Sequence, residues 1–119
     1  MKDNALIGIV GPCAAGKSTL VSGLRAHGYR AKHIAQEHSY SPLMWQKITN
    51  PDLLIYLDVS YPVTIVRRSL DWNMSEYETQ LSRLSVARQK ADLYIQTDEL
   101  TIRQVQDIVL EFLRGQGID

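Results

Sequence analysis

Apolar runs and helical patterns alternate along this chain. Ala5–Val10 (ALIGIV) is a short continuous apolar run ending at a glycine, the pattern of a strand buried on both faces. A helix is predicted from about Lys17 to His27, with Leu20, Val21 and Leu24 as its inner stripe and Gly28 placed to end it. Tyr29–Ala35 reads as a second, weaker strand. Ser41-Pro42 opens a short helix around Met44–Ile48, which Asn50-Pro51 breaks. Leu53–Asp58 (LLIYLD) is the clearest strand. Ser60-Tyr61-Pro62 starts another helix, with Val63, Val66 and Leu70 on one face, and Asp71–Met74 is a connector. Ser75 and Glu78 match a capping box that opens a helix with Tyr77, Leu81, Leu84 and Arg88 or Ala91 along one side. Leu93–Gln96 is a short last strand. Thr101 and Gln104 match a second capping box, opening a final helix that runs to Arg114 and closes at Gly115.

This alternation predicts one α/β domain over residues 1–119, a doubly wound, mainly parallel sheet of about four strands with helices on both faces. In open sheets of this kind the ligand site lies beyond the carboxyl ends of the strands. That rule gathers Gly11–Ser18, Glu37–Ser39, Asp58–Ser60 and Thr97–Asp98 along one rim.

Composition narrows the functional classes. The 119 residues suit a single domain. Thirteen Lys and Arg balance thirteen Asp and Glu, for a net charge of zero, which argues against a nucleic-acid clamp or a polybasic membrane binder. With one cysteine, Cys13, no intrachain disulfide forms, and a reducing cytoplasm is the expected compartment. The apolar run at Ala5–Val10 is too short for a membrane span and lacks the flanks of a signal peptide.

The most specific feature is the stretch G-P-C-A-A-G-K-S at residues 11–18, which matches G-x-x-x-x-G-K-[ST] between a predicted strand and a predicted helix. Each fixed position has a chemical reason. Gly11 leaves the strand into a tight turn, and Gly16 lets successive N–H groups surround a β-phosphate. Lys17 supplies a cation for the β- and γ-phosphates, and Ser18 offers a hydroxyl to Mg²⁺. The helix that starts there points its positive end at the same anion. Gly11, Pro12, Cys13, Ala14, Ala15, Gly16, Lys17, Ser18 and Thr19 are therefore the expected phosphate-binding residues, for ATP with Mg²⁺. Cys13 either packs in the loop or is a thiol activated by the helix end and Lys17.

With these residues the chain resembles the P-loop NTPases, and within them the nucleoside and nucleotide kinases. Pro51–Ser69 (PDLLIYLDVSYPVTIVRRS) is similar to the strand–turn–helix of thymidylate and deoxynucleoside kinases. Ala91–Val109 (ADLYIQTDELTIRQVQDIV) is similar to the closing strand and helix of shikimate and gluconate kinases. The resemblance implies an ATP- and Mg²⁺-dependent phosphotransferase acting on a small molecule such as a nucleoside or nucleotide. The chain lacks the usual acceptor-binding insertion after the first helix, and its lid region, Asp71–Met74, is short. The alternative is a nucleotide-binding or slowly hydrolysing regulatory module that works through a partner. No N/T-K-x-D motif occurs, which disfavours a Ras-type GTPase.

Further candidates surround the loop. Gln36-Glu37-His38-Ser39 resembles the Glu-Arg-Ser segment of deoxynucleoside kinases. If its strand lies beside the first strand, Glu37 serves Mg²⁺ or an acceptor proton; otherwise it is a solvated loop acid. Asp58 fits either a Walker B acid for the metal or a helix-start cap. Arg67 and Arg68 are adjacent on a helix, so at most one reaches a ligand, and Arg68 is the one assigned to phosphate. The resemblance places Asp98 near the adenine base. Arg83 and Arg88 belong to a solvated face. His27, His33 and His38 show no metal-ligand spacing with one another or with Cys13, so no zinc site is expected. Tyr40, Met44 and Trp45 either line an acceptor pocket or pack the short helix. Apolar surface near Trp45 and Tyr61 suggests a homodimer.

Overall fold

The computed structural model describes residues 4–69 and 71–118; Leu70, assigned above to a helix face, lies outside the described residues. The chain runs through β1 (Leu6–Val10), α1 (Lys17–Ala26), β2 (Arg30–His33), a 3-10 turn (Gln36–His38) and a π-helical turn (Trp45–Thr49). It continues through β3 (Leu53–Asp58), α2 (Tyr61–Arg68), α3 (Met74–Lys90), β4 (Leu93–Gln96) and α4 (Ile102–Gly115). The strands form one α/β sheet of four parallel strands in the order β2-β1-β3-β4. Among the described residues no helix is long and apolar enough to cross a membrane.

Alternation along the central strands builds two cores, one on each face of the sheet. Ile7 and Ile9 of β1, with Ile55 and Leu57 of β3, face Leu20, Val21 and Leu24 of α1 and Val105, Val109 and Leu113 of α4. Val10, Leu54 and Tyr56 point the other way, against Leu84 and Ala87 of α3 and the indole of Trp45. The near-continuous burial of β1 and β3 is what a strand covered on both faces requires. Gly8 belongs to that packing, because a Cβ there would stand 2.7 Å from Ile34 Cδ1.

Several local expectations are corrected. Strand β2 is shorter than Tyr29–Ala35, spanning Arg30–His33 with only Ala31 buried, as befits a sheet edge. Helix α3 begins two residues earlier than Ser75 suggests. Asn73 caps it, accepting from the Glu76 N–H while Glu76 accepts from the Asn73 N–H. Asn-x-x-Glu and Ser-x-x-Glu overlap here, and the earlier one is held in place because Trp72 beside it is tied to α2. Trp72 Nε1 donates to Thr64 Oγ1 at 3.0 Å, and the Tyr61 hydroxyl donates to the Trp72 carbonyl at 2.7 Å. The inner stripe of α3 is Tyr77, Gln80, Leu84 and Ala87, so Leu81 and Arg88 lie off it. On α2 the buried residue is Thr64, and Val66 is 82% exposed, contrary to its expected inward face. Trp45 itself is 7% exposed and Tyr61 is half-buried, while the exposed apolar side chains near them are Ile48 and Val66. Other local signals are met: Gly28 has φ +89 just past α1, and Thr101 and Gln104 form the capping box of α4.

Candidate functional site

The strand order decides what meets at the carboxyl edge. β1 is flanked by β2 on one side and β3 on the other, so the turn leaving β1 stands beside the segments that leave both neighbours. Parallel pairing of Ile9 with His33, extended by the Ile34 N–H to the Ile9 carbonyl at 3.0 Å, brings residues 36–38 against residues 11–17. The condition set for Glu37 is thereby met.

Two left-handed residues shape the 11–18 turn, Ala14 at φ 69 and Gly16 at φ 94. Gly11 is required for a different reason: a Cβ there would fall 2.1 Å from the Leu57 carbonyl oxygen of the neighbouring strand. The turn is held from outside as well. Gln80 of α3 accepts from the Cys13 N–H at 3.0 Å, and Arg67 of α2 donates to the Ala14 carbonyl at 3.2 Å and to Thr97 Oγ1 at 2.9 Å. Helix α1 then begins without a capping side chain or an acid in its first turn, unlike α3 and α4 with their capping boxes. Leu20 is the first residue whose N–H reaches a carbonyl of this helix, that of Gly16. The N–H groups of Lys17, Ser18 and Thr19 precede it and have no intrahelical acceptor. A positive helix end therefore opens into the cavity.

That cavity measures about 680 Å³, within the range of small-molecule sites. Its lining includes residues 13–19, Glu37, His38, Arg67 and Arg68, together with the apolar Leu100, Ile102 and Val105.

Lys17 and Glu37 form the electrostatic centre. Lys17 is 6% exposed and Glu37 2%. Lys17 Nζ donates to Glu37 Oε2 at 2.6 Å, to the Pro12 carbonyl at 3.1 Å and to the Gly11 carbonyl. Burial pulls the Lys17 ammonium below its ordinary pKa of 10.5, against the neighbouring Glu37 carboxylate, which favours the charge. The second carboxylate oxygen, Glu37 Oε1, is buried with no hydrogen-bond partner among the described residues. A buried carboxylate oxygen left open is costly, and it is a ready acceptor for a cation or a proton. The Ser18 side chain is exposed within the same cavity.

Neighbouring residues fix Glu37 in place. The fully buried Gln36 donates to the Ser41 and Arg83 carbonyls at 2.8 and 3.2 Å and accepts from the Trp45 N–H at 2.9 Å. Arg83 Nη1 donates to the Glu37 carbonyl at 3.3 Å while its guanidinium lies 4.5 Å over the Tyr40 ring. Arg83 is thus not simply solvated, and the positioning roles of Gln36, Gln80 and Arg67 carry no motif in the sequence.

Other candidates are dispersed. Asp58 does not join Ser18 and Glu37. Its Oδ1 accepts from the Val59 N–H at 2.9 Å, its Oδ2 from the Tyr94 hydroxyl, and it lines a separate cavity with Tyr56 and Arg88. Asp98 also turns from the cavity, accepting from the Ser60 N–H at 2.9 Å. Burial works against its charge, but bonds from Ser60 and Gln96 outweigh this and hold its pKa below the ordinary 3.8. Both arginines of α2 line the cavity, and Arg67 is in addition bonded to the turn and to Thr97. Trp45 packs in the core, and Tyr40 is exposed and away from the cavity lining. Cys13, Glu37 and His38, which show no metal-ligand spacing along the sequence, each bring one ligand atom within 4.8 Å of the others.

No protein-family model matches the chain, and no curated protein matches it by sequence.

Proposed function

We propose that residues 11–18 are a P-loop, that the sheet is a reduced, doubly wound P-loop NTPase fold, and that the protein binds ATP with Mg²⁺. The observation that carries this reading is the uncapped start of α1, formed by a turn with the G-x-x-x-x-G-K-[ST] spacing and opening beside a buried Lys17–Glu37 pair. The β- and γ-phosphates take the N–H groups of residues 16–19. On binding, Lys17 would exchange the Gly11 and Pro12 carbonyls for phosphate oxygens. Arg68 faces the same anion, and the base rests on Leu100 and Ile102. Asp98, engaged with Ser60, has no part in this arrangement.

The residues also fit the expected cation. Ser18 and Glu37, through its open Oε1, would hold Mg²⁺, and Asp58 is too engaged elsewhere to serve. Bound there, Mg²⁺ supplies charge neutralisation for the phosphates. The alternative role for Glu37 is to accept the proton of an attacking hydroxyl through that same open oxygen.

With these parts the favoured activity is phosphoryl transfer from ATP to a small molecule such as a nucleoside or nucleotide. A second reading, a nucleotide-binding or slowly hydrolysing regulatory module, is favoured by the short link between α2 and α3, residues 69–73, where a lid that excludes water would be expected. The two are separated by following γ-phosphate transfer to nucleosides, nucleotides and small metabolites, with water as the control acceptor. Transfer to one acceptor supports the phosphotransferase, and acceptor-independent release supports the module. In either case Glu37→Gln abolishes turnover; an unchanged rate removes Glu37 from the chemistry.

A further inference from the structure

Three side chains at the mouth of the turn form a group of mixed donors, of which the nucleotide reading uses Glu37 alone. Cys13 Sγ lies 4.0 Å from His38 Nε2, and His38 Nε2 lies 3.8 Å from Glu37 Oε2. All three ligand atoms are within 4.8 Å of one another. Sulfur, imidazole nitrogen and carboxylate oxygen are the donors of zinc-class cations, whereas Mg²⁺ selects oxygen alone. Around a tetrahedral zinc the usual bond lengths place such donors about 3.4–3.6 Å apart, so the Cys13–His38 and His38–Glu37 pairs need to close by roughly half an ångström and the Cys13–Glu37 pair by up to about 1.2 Å.

Two further observations point to a ligand here. Glu37 is 2% exposed, yet its Oε1 has no partner among the described residues, so the carboxylate has an oxygen free for a cation while Oε2 holds Lys17. Gln80 fixes the thiol from behind. Its Oε1 accepts from the Cys13 N–H at 3.0 Å, and its Nε2 approaches Cys13 Sγ at 3.1 Å, as an outer-shell donor orients a metal-binding sulfur. His38 is the exposed member of the three.

We infer that Cys13, His38 and Glu37 form a site for a thiophilic divalent cation of the zinc class, with its fourth position open to water. Cys13 binds as the thiolate, its proton passing to solvent. The site clamps the 11–18 turn to the segment after β2. It shares Glu37 with the Mg²⁺ position proposed above, so the two cations compete for that carboxylate, and the site is tested in the absence of nucleotide and Mg²⁺.

The test is a titration of the metal-free protein with Zn²⁺ against a chromophoric chelator, and with Co²⁺ as a spectroscopic probe. One equivalent of Co²⁺ is expected to bind with a thiolate-to-metal charge-transfer band and the visible absorption of a four-coordinate ion. Cys13→Ser abolishes that band, and His38→Ala weakens Zn²⁺ binding by more than about tenfold, since loss of an outer-shell partner alone costs that much. Melting curves of both metal-free variants, expected near the wild type, show that the fold is kept. A Co²⁺ spectrum without the thiolate band, or Zn²⁺ affinity unchanged in a folded Cys13→Ser protein, overturns the site.

Discussion

Lys17 and Glu37 neutralise each other in a place almost closed to water, and each depends on the other. Removing one charge from such a pair leaves the other buried and uncompensated, at a cost of about 3–5 kcal/mol. Lys17→Ala is therefore expected to lower the stability of the protein even without ligand. Lys17→Ala combined with Glu37→Gln recovers part of that loss, giving a coupling of at least about 1 kcal/mol in a double-mutant cycle from chemical unfolding. Additive single effects would show that the pair is not energetically joined. The lysine was legible from its motif, because the 11–18 spacing is local. Glu37 was legible only as a conditional candidate, and its pairing with Lys17 was not, since it depends on β2 lying beside β1, an arrangement that apolar patterning leaves undetermined. The Cys13–His38 approach was hidden for the same reason, as the two residues belong to different segments that only the sheet brings together.

Element boundaries followed the strength of their local signals. The continuous apolar runs of β1 and β3 and the capping box of α4 were readable because each fixes its own geometry. Helix α3 was readable in extent but not in phase. Its inner face carries a polar residue, Gln80, whose amide holds the Cys13 N–H, and an apolar stripe drawn through Leu81 misses it by one position. Its start was misplaced because two overlapping box patterns compete, and only the tie from Trp72 to Thr64 favours the first. Thermal or chemical denaturation separates them: Asn73→Ala is expected to cost about 0.5–2 kcal/mol, the usual loss of an N-cap. Ser75→Ala should change stability little. The reverse ranking would contradict the observed cap.

At the scale of the whole molecule, the parallel sheet sets β1 between β2 and β3, and the turn leaving β1 opens into a recess of about 680 Å³. Two cores on opposite faces hold the strands, so the site rests on a rigid edge while its contacts come from α2, α3 and the segment after β2. The most direct test of the central claim, that this recess binds nucleoside triphosphate phosphates, is the melting midpoint with and without Mg-ATP. A ligand selective for the folded state adds about 2.7 kcal/mol at a hundred times its dissociation constant. At roughly 3–6 °C per kcal/mol for a domain of this size, that raises the midpoint by about 8–16 °C. The account predicts this rise for the wild type and its near-complete loss in Lys17→Ala, each measured against its own unliganded baseline. A wild-type protein whose midpoint is unmoved by ATP, ADP, GTP or any other nucleotide would contradict it.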